Sequence, residues 1–495
     1  MTREPIALTT NGAVRGIATD CLTTFRAVPY AAPPVGELRF SAPAAHAPWS
    51  GIRDCTRPGA SAPQGPSRLD AVMGILPFEQ SEDCLTLTVW TPAADEEKRP
   101  VIYWLHGGAY QSGGAHQPFY DGGNLSRACD VVVVGVNYRL GALGYLYLPE
   151  AEAAGGVAAN RGLLDQMHAL RWVSQNIAAF GGDPARITIC GQSAGGGSVL
   201  ALLADPASRG LVARAIPMSA STGSLGIERA AEISSRFCQL AGVPPTDIAG
   251  LRALPVDTIV QAQRAVQMEI AAKGDRTIAW QNVVGGPGCP LNPASGVIKG
   301  LARDIPMLIG STLDEGHAWL AQDDKLVAQT DASVIAPTAE AGGYAKAAGD
   351  LPGERAAEAT KPWQVLSAML TWAVFEKPSH NVADGHTTSG GTAYVYRFEW
   401  RPIPDARFGA CHCIELPFMF DNLDRWPRDS AMMAHHDPAH YRALATRMRD
   451  AWGAFAHTGN PATKALPDWP RWTPGTRPCM VLNDTCRIVN EAQPQ

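Results

Sequence analysis

A strand, a helix and a second strand follow one another along the middle of this chain, and that order constrains the fold more than any other feature. The segments 131–136 and 187–190 are apolar, β-branched runs typical of buried strands. Between them, residues 163–180 carry apolar side chains at three- and four-residue spacing, which is one face of a helix. A strand–helix–strand unit of this kind links parallel strands of one sheet. The sequence therefore predicts an α/β fold.

Four further apolar runs extend this prediction to a mostly parallel central sheet with helices on both faces. They are residues 101–105, 215–218, 305–309 and 393–398. Two helix-prone stretches, at about 227–273 and 338–375, are expected to be helical insertions over one end of the sheet, where a pocket is built. A length of 495 residues allows two or three average domains, but α/β proteins often run long as one unit. We expect a single domain, 1–495.

The motif G-x-S-x-G occupies Gly191, Ser193 and Gly195, directly after the strand that ends at Cys190 and before a helix-prone run. A nucleophile elbow needs this arrangement, because small flanking residues let the backbone turn sharply around the serine. The other interpretation is a glycine-rich turn with an incidental serine. The strand before it and the helix after it favour a nucleophilic Ser193.

A second glycine-rich segment, WLHGGAY, also follows a strand. Its backbone at Gly107, Gly108 and Ala109 can approach a ligand without side-chain obstruction. In the fold that carries such an elbow, one oxyanion donor is the N–H of the residue after the nucleophile, here Ala194, and others come from a loop like this one. The neighbouring His106 is expected to orient the loop.

The acid and the base of such a site follow the serine in the order acid, then histidine. Asp314 and Glu315 come directly after the strand at 305–309, and spacing alone does not choose between them. His412 lies in the loop after the strand at 393–398, from which it could reach the same end of the sheet. Every histidine after the acid remains a candidate: His317, His380, His386, His412, His435, His436, His440 and His457.

The chain as a whole resembles the type-B carboxylesterases, particularly their bacterial para-nitrobenzyl-esterase branch. The resemblance spans nearly the whole chain and is carried by long motifs: FRAVPYAAPPVGELRF, EDCLTLTVWTP, HGGAY, VNYRLGALGYL, GLLDQMHALRWVSQNIAAFGGDP, GQSAGG and WGAFAHTGNP. It implies an α/β-hydrolase fold and a serine esterase that needs no cofactor and no metal. It also implies a residue for each role: Ser193 as nucleophile, Glu315 as acid, His412 as base, Gly108, Ala109 and Ala194 as oxyanion donors, and Ser219 as a support for the acid.

The chain departs from the family pattern at positions that bear on chemistry and location. Gln192 stands where much of the family has Glu, a change that we expect to leave the chemistry unaffected. In secreted members, the cysteine that corresponds to Cys84 pairs with an upstream cysteine. Here Ala62 stands in the place of that upstream cysteine. The segment CHCIELPFMFDNLDRW resembles bacterial hydrolases of aryl carbamates. Small esters or carbamates, with water, are thus the expected substrates.

Three other functions stay open on the sequence alone. An aryl-carbamate or anilide hydrolase would use the same three residues, because leaving-group preference depends on pocket shape. A non-catalytic binding module is the second alternative, since this fold also serves in proteins that have lost the nucleophile. A transacylase that passes the acyl group to another acceptor is the third.

Two histidine clusters and three aromatic residues need separate interpretation. Cys411, His412 and Cys413 are adjacent, and neighbours in sequence rarely converge on one ion. His436 and His440 have helical spacing, but Pro438 lies between them, so no metal site is expected. Three aromatic residues near the motifs could line a pocket or pack in the core: Tyr110, Trp319 and Phe418.

Composition and charge limit the partners. The net charge is −6 with scattered Lys and Arg, so neither nucleic acid nor an anionic membrane is an expected partner. No signal-peptide pattern opens the chain, and no apolar run approaches the ~20 residues that span a bilayer. An odd number of cysteines, eleven, together with the lack of a signal-peptide pattern fits reduced thiols in the cytoplasm. No CxxC pair occurs, so a structural zinc site is not expected. The sequence does not indicate an oligomeric state.

Overall fold

The computed structural model describes residues 4–19, 21–153, 155–346, 349–353, 355, 359–403 and 407–491. The strands in these residues are β1 Ile6–Thr9, β2 Gly12–Arg15, β3 Ile17–Thr19, β4 Leu22–Pro29, β5 Ile52–Asp54, β6 Thr86–Thr91, β7 Arg99–Leu105, β8 Val132–Val136, β9 Gly182–Gln192, β10 Arg214–Met218, β11 Met307–Thr312, β12 Ala393–Phe398, β13 Pro478–Leu482 and β14 Arg487–Asn490.

The helices surround these strands in chain order. They are α1 Asp70–Met73, α2 Gly123–Cys129, α3 Gly141–Tyr145, α4 Pro149–Ala153, α5 Arg161–Asn176, α6 Ala194–Ala204, α7 Ile227–Ala241, α8 Ile248–Ala253, α9 Val256–Ala272, α10 Pro293–Ile298, α11 His317–Leu320, α12 Asp324–Val327, α13 Ile335–Ala341, α14 Pro362–Thr371, α15 Lys377–Thr388, α16 Leu416–Phe420 and α17 Pro438–Thr458. A π-helical turn, Trp372–Glu376, joins α14 to α15.

The large sheet has eleven strands in the order β14-β13-β12-β11-β10-β9-β7-β8-β6-β4-β3. All neighbours from β8 to β13 in this order pair in parallel, and the strands outside that block pair antiparallel. Strands β1, β2 and β5 form a separate small sheet. The predicted α/β fold with a mostly parallel sheet is confirmed.

Both faces of the large sheet are buried, as the continuous apolar runs predicted. Alternate residues of a strand point to opposite faces. On β7, Tyr103 and Leu105 belong to the core on the side of helix α5, whereas Ile102 and Trp104 belong to the core on the side of helix α17. Helices therefore cover the sheet on both faces, and the strand ends remain the place where loops can form a site.

The strand boundaries differ from the prediction at β9, where the expected strand 187–190 is Gly182–Gln192, and at β11. The expected strand was 305–309, and the observed strand is Met307–Thr312. Pro306 has no N–H to donate to a neighbouring strand, so the ladder begins after it. The predicted helix 163–180 also ends early: α5 stops at Asn176, and a 3₁₀ turn, Ile177–Phe180, completes the segment.

The two predicted helical regions contain helices, but their status as insertions in a single domain stays a prediction. Region 227–273 holds α7, α8 and α9. Region 338–375 holds the end of α13, helix α14 and most of the π-helical turn, and its residues 347–348, 354 and 356–358 lie outside the described residues. Among the described helices, none combines the length and apolar character that crossing a bilayer would require.

Candidate active site

Ser193 lies at the sharp turn between strand β9 and helix α6. Its backbone has φ 59° and ψ −120°, a strained conformation for a residue with a side chain. A Cβ on Gly195 would lie 2.0 Å from the carbonyl oxygen of Leu105, and one on Gly191 would lie 2.5 Å from the carbonyl carbon of Gly195. No side chain fits at either position, which explains why the turn needs the G-x-S-x-G pattern.

Glu315 and His412 meet at the same end of the sheet. The Nδ1–H of His412 donates a hydrogen bond to Oε2 of Glu315, and both side chains are buried. The other carboxylate oxygen, Oε1, accepts hydrogen bonds from the N–H of Thr312 at 2.8 Å and from the hydroxyl of Ser219 at 2.5 Å. Three donors therefore fix the carboxylate, and the carboxylate fixes the tautomer and the direction of the imidazole ring.

The adjacent carboxylate, Asp314, has a different position. It pairs with Arg401, with Oδ2 2.9 Å from Nε, and it accepts a hydrogen bond at 2.8 Å from the N–H of Ala410. Burial raises the pKa of Asp314, but the charges of His317 and Arg401 outweigh burial and leave the pKa below its usual value. Asp314 thus anchors the loop that carries His412, while its neighbour contacts the imidazole ring itself.

The other histidines that the sequence left open do not contact Glu315 within the described residues. His317 packs its ring on Trp363, with centroids 4.6 Å apart, and His380 and His386 are buried residues of helix α15. His440 lies 3.7 Å from Asp484 on the surface. Of the remaining three, His436 and His457 contact the backbone carbonyls of Met433 and Cys129, and His435 is exposed.

The hydroxyl of Ser193 and the ring of His412 do not share a hydrogen bond in the described structure. The second ring nitrogen of His412, Nε2, instead lies 3.3 Å from Nε2 of Gln192. The backbone N–H of Ser193 donates to the carbonyl of Met218 at 2.9 Å, and its carbonyl accepts from Ser221 at 3.0 Å. The backbone of the serine is therefore held on both sides while its side chain stays available.

The glycine-rich loop after β7 lies directly beside the serine. A Cβ on Gly107 would lie 3.0 Å from Cβ of Ser193. Gly108 and Ala109 have φ values of 114° and 54°, both left-handed. Across the described residues, the N–H groups of Gly108, Ala109 and Ala194 donate no hydrogen bond. Three backbone donors next to one serine are thus available to an oxyanion.

Gln64 supports this loop, and sequence reasoning missed it. Its Oε1 accepts a hydrogen bond from the N–H of Gly113 at 2.6 Å, and its Nε2 donates to the carbonyl of the same residue at 2.8 Å. Gln64 lies two residues after Ala62, whereas its partner Gly113 is distant in the sequence. His106 orients the loop as expected from the sequence: its ring stacks on Tyr138 with centroids 4.4 Å apart, and burial lowers its pKa to about 4.

Aromatic side chains surround the imidazole of His412. The ring centroids of Trp319 and Phe375 lie 4.9 Å and 5.0 Å from its centroid. The sequence left Trp319 open between pocket and core, and the structure places it against the site. Tyr110 and Phe418 are fully buried among core residues instead.

Glu415 is a second buried carboxyl group near the site, and no sequence signal singled it out. It is fully buried, and the side-chain amide of Gln192 is the polar group beside its carboxyl. Burial, followed by repulsion from Glu315, raises its pKa well above the usual value. Burial thus favours the neutral carboxylic acid form of Glu415 over the anion.

One group of possible metal ligands occurs in the part of the chain that the structure describes: Glu376, His380 and Glu491. Arg355 pairs with Glu376 at 2.5 Å, and Arg397 pairs with Glu491. The carboxylates are already neutralised by cations, so this cluster is an ion-pair network. His436 precedes helix α17 and His440 lies within it, so Pro438 separates them as the sequence suggested.

Comparison with known proteins agrees with the fold described above. The model of the carboxylesterase family matches residues 3–494. Phenmedipham hydrolase of Pseudarthrobacter oxydans is 37% identical over 492 residues, covering 98% of this chain and 96% of that protein. Para-nitrobenzyl esterase of Bacillus subtilis is 35% identical over 489 residues, covering 99% and 96%. A solved structure of a thermophilic para-nitrobenzyl esterase superposes with a TM-score of 0.86 at 32% identity, covering 99% of this chain and 98% of that one.

The family match and the structural match extend over nearly the whole chain. Both the fold and the type of reaction therefore follow from them. The fold is that of the α/β-hydrolases, and the activity is that of a serine carboxylesterase, which hydrolyses carboxylic esters. The chain belongs to the carboxylesterase family.

Proposed function

We propose that Ser193 is the nucleophile of this esterase, His412 its general base and Glu315 the acid that orients the base. The observation that carries the assignment is the hydrogen bond from Nδ1 of His412 to a carboxylate that Ser219 and Thr312 also bind. That bond leaves the lone pair of Nε2 as the basic site, which is the tautomer a general base needs.

The reaction proceeds in two steps through an acyl-enzyme. His412 removes the proton of the Ser193 hydroxyl as its oxygen attacks the ester carbonyl, and the N–H groups of Gly108, Ala109 and Ala194 stabilise the oxyanion. His412 then protonates the departing alcohol, and water repeats the sequence on the acyl-enzyme. Each oxyanion donor is worth about 10²–10³ in rate in sites of this type.

The assignment is tested with initial rates on short-chain para-nitrophenyl esters. We expect wild type to hydrolyse them and Ser193→Ala to be inactive, because the variant keeps the fold but has no oxygen nucleophile. The matched control is Ser235→Ala on helix α7, which should behave as wild type. Equal, low rates in wild type and Ser193→Ala would contradict the assignment and favour a non-catalytic binding module.

Aryl carbamates are a second candidate substrate class. The observation that favours them is the 37% identity to a protein whose name gives phenmedipham as its substrate. The same three residues would attack the carbamate carbonyl, and the outcome depends on how the pocket places the leaving group. The rate on an aryl methylcarbamate, measured beside the ester rates, decides between the two classes. Added alcohol that diverts the acyl group would indicate a transacylase.

We also propose that the protein works in the cytoplasm. All eleven cysteines are free thiols in the structure, including the fully buried Cys84, whose usual partner position is occupied by Ala62. A secreted protein of this size more often closes such a pair into a disulfide. Fractionation of cells that produce the full chain tests this location.

A further inference from the structure

Gln192 precedes the serine in the chain and is as buried as Glu315 and His412, with 1% of its surface exposed. Its Nε2 lies 3.3 Å from Nε2 of His412, and its Oε1 lies 3.5 Å from the thiol sulfur of Cys413. A Cβ on Gly107 would lie 2.9 Å from the same Oε1. The glycine of the oxyanion loop therefore leaves the space that the Gln192 amide occupies.

The hydrogen-bond chemistry of the neighbours fixes which end of the amide faces the ring. Nδ1 of His412 carries the proton that Glu315 accepts, so Nε2 of the neutral ring presents a lone pair. Only the NH₂ end of an amide can donate to that lone pair. The carbonyl end then faces Cys413, and burial raises the pKa of that thiol well above its usual value, so it remains an S–H donor.

We propose that Gln192 is a positioning residue that donates its side-chain N–H to Nε2 of His412 in the resting enzyme and so favours the neutral, basic form of the ring. This inference rests on the proposed role of His412 as the base. When substrate binds, the Ser193 hydroxyl replaces the Gln192 amide as the hydrogen-bond donor to Nε2 of His412. From the sequence, we expected Gln192 to leave the chemistry unaffected. Its contact with the His412 ring instead implies an effect on the protonation of the base.

The charge around the ring makes this donor important. Glu315 is the acid bonded to the imidazole, and it favours the protonated ring. The other titratable groups that face the ring or Glu315 are Glu415, Cys411, Cys413 and Tyr396, and burial raises the pKa of each well above its usual value, which disfavours an anion at all four positions. A carboxylate at position 192, as in much of the family, would add a second anion beside Nε2. The neutral amide instead works against protonation.

The test is a pH titration of the His412 ring in the full-length protein, followed by NMR with ¹³C-labelled histidine. The His412→Gln variant identifies the signal. The titration runs from about pH 4 to about pH 9. In Gln192→Met we expect the midpoint of the His412 ring to rise by about half a unit to one unit, because a hydrogen bond to the neutral ring is lost. In Gln192→Glu we expect a rise of about one to three units, since an anion then favours the protonated ring.

The acid limb of the pH profile for kcat/KM on a para-nitrophenyl ester should move in the same order. The direction of this shift follows from the mechanism. The base must be neutral to accept a proton, so a ring that stays protonated to higher pH moves the midpoint of the acid limb to higher pH. Gln239→Glu, which adds the same charge on the exposed face of α7, is the control and should leave both midpoints unmoved because solvent screens it.

The outcomes separate this inference from the proposed function. Midpoints in Gln192→Met and Gln192→Glu that stay within about 0.2 unit of wild type, or that fall, overturn the role of Gln192 while the esterase assignment stands. Absence of hydrolysis in wild type overturns the assignment of the base, but the NMR midpoints still report whether the amide binds the ring. Circular dichroism of each variant confirms that it is folded, and either variant alone is sufficient for the comparison.

Discussion

At the scale of single residues, the hydroxyl of Ser219 donates a hydrogen bond of 2.5 Å to the carboxylate of Glu315. The residue has a left-handed φ of 42°, so strand β10 ends in a conformation that turns this hydroxyl toward β11. Thr312 contributes only its backbone N–H to the same oxygen. Among the residues that the structure describes, Ser219 is therefore the one side chain besides His412 that donates to this carboxylate.

We predict that Ser219→Ala lowers kcat for ester hydrolysis by about tenfold with little change in KM. A hydrogen bond to a charged group is worth about 1.5–3 kcal/mol, and its loss lets the carboxylate and the ring move out of line. Steady-state kinetics on a para-nitrophenyl ester measure the effect. The control is Ser367→Ala, which removes an equally buried hydroxyl that has no partner among the described residues. Equal losses in the two variants would contradict a specific role for Ser219.

At the scale of elements, the turn between β9 and α6 depends on close backbone contacts. The N-terminus of α6 begins immediately after the serine, and Gly195 lies in its first turn against the end of β7. Helix propensity alone favours alanine over glycine there by about 1 kcal/mol. A Cβ at position 195 would nevertheless lie 2.0 Å from the carbonyl oxygen of Leu105, and this clash outweighs the propensity of alanine because the backbone of a strand cannot move aside as a side chain can.

We therefore predict that Gly195→Ala destabilises the protein by about 1–3 kcal/mol or more and abolishes esterase activity, although the propensity scale predicts stabilisation. Urea unfolding followed by circular dichroism measures the free energy. Gly156→Ala is the matched control, since a Cβ there would meet its nearest atom at 3.5 Å, an ordinary contact. An active, fully stable Gly195→Ala protein would show that the elbow adapts to a side chain.

At the scale of the whole molecule, the features that repeat along the chain were predictable and those that depend on packing between distant segments were not. Apolar runs and helical spacing gave the sheet and helix α5, because both faces of the sheet are covered. The boundary at β11 was missed because Pro306 acts locally against the apolar pattern. Gln64 and Glu415 were missed because their roles depend on residues about fifty and a hundred positions away, which spacing does not reveal.

The same distinction applies to the site. The order of serine, acid and histidine narrowed the choice to Asp314 or Glu315 and to eight histidines, and the resemblance to the family selected one of each. The contacts that separate the two carboxylates, Arg401 for one and His412 for the other, form only when β11 and the loop after β12 meet. The effect of Gln192 was likewise not predictable from the sequence. The sequence shows that Gln192 precedes Ser193, and only the fold shows that it contacts His412.

Buried histidines make the stability of the whole molecule dependent on pH. Burial lowers the pKa of His106 and of His380 to about 4, against about 6.5 in an unfolded chain. Between these values the unfolded chain holds protons that the folded protein excludes, so unfolding takes up protons. The free energy of unfolding is therefore highest above about pH 6.5 and falls as the pH falls toward about 4. From pH 7 to pH 5, each of the two contributes a loss of about 2 kcal/mol.

We predict that His380→Gln lowers the stability at pH 7 but removes about 2 kcal/mol of the decrease between pH 7 and pH 5, because the variant has no proton to bind at that position. Urea unfolding at several pH values gives the slope directly. His435→Asn, at an exposed position with a left-handed φ of 61° that asparagine tolerates, is the control and should keep the wild-type slope. If the slopes of wild type and His380→Gln coincide, then the buried imidazole is protonated in the folded protein at pH 5, and the pH dependence must come from the carboxylates.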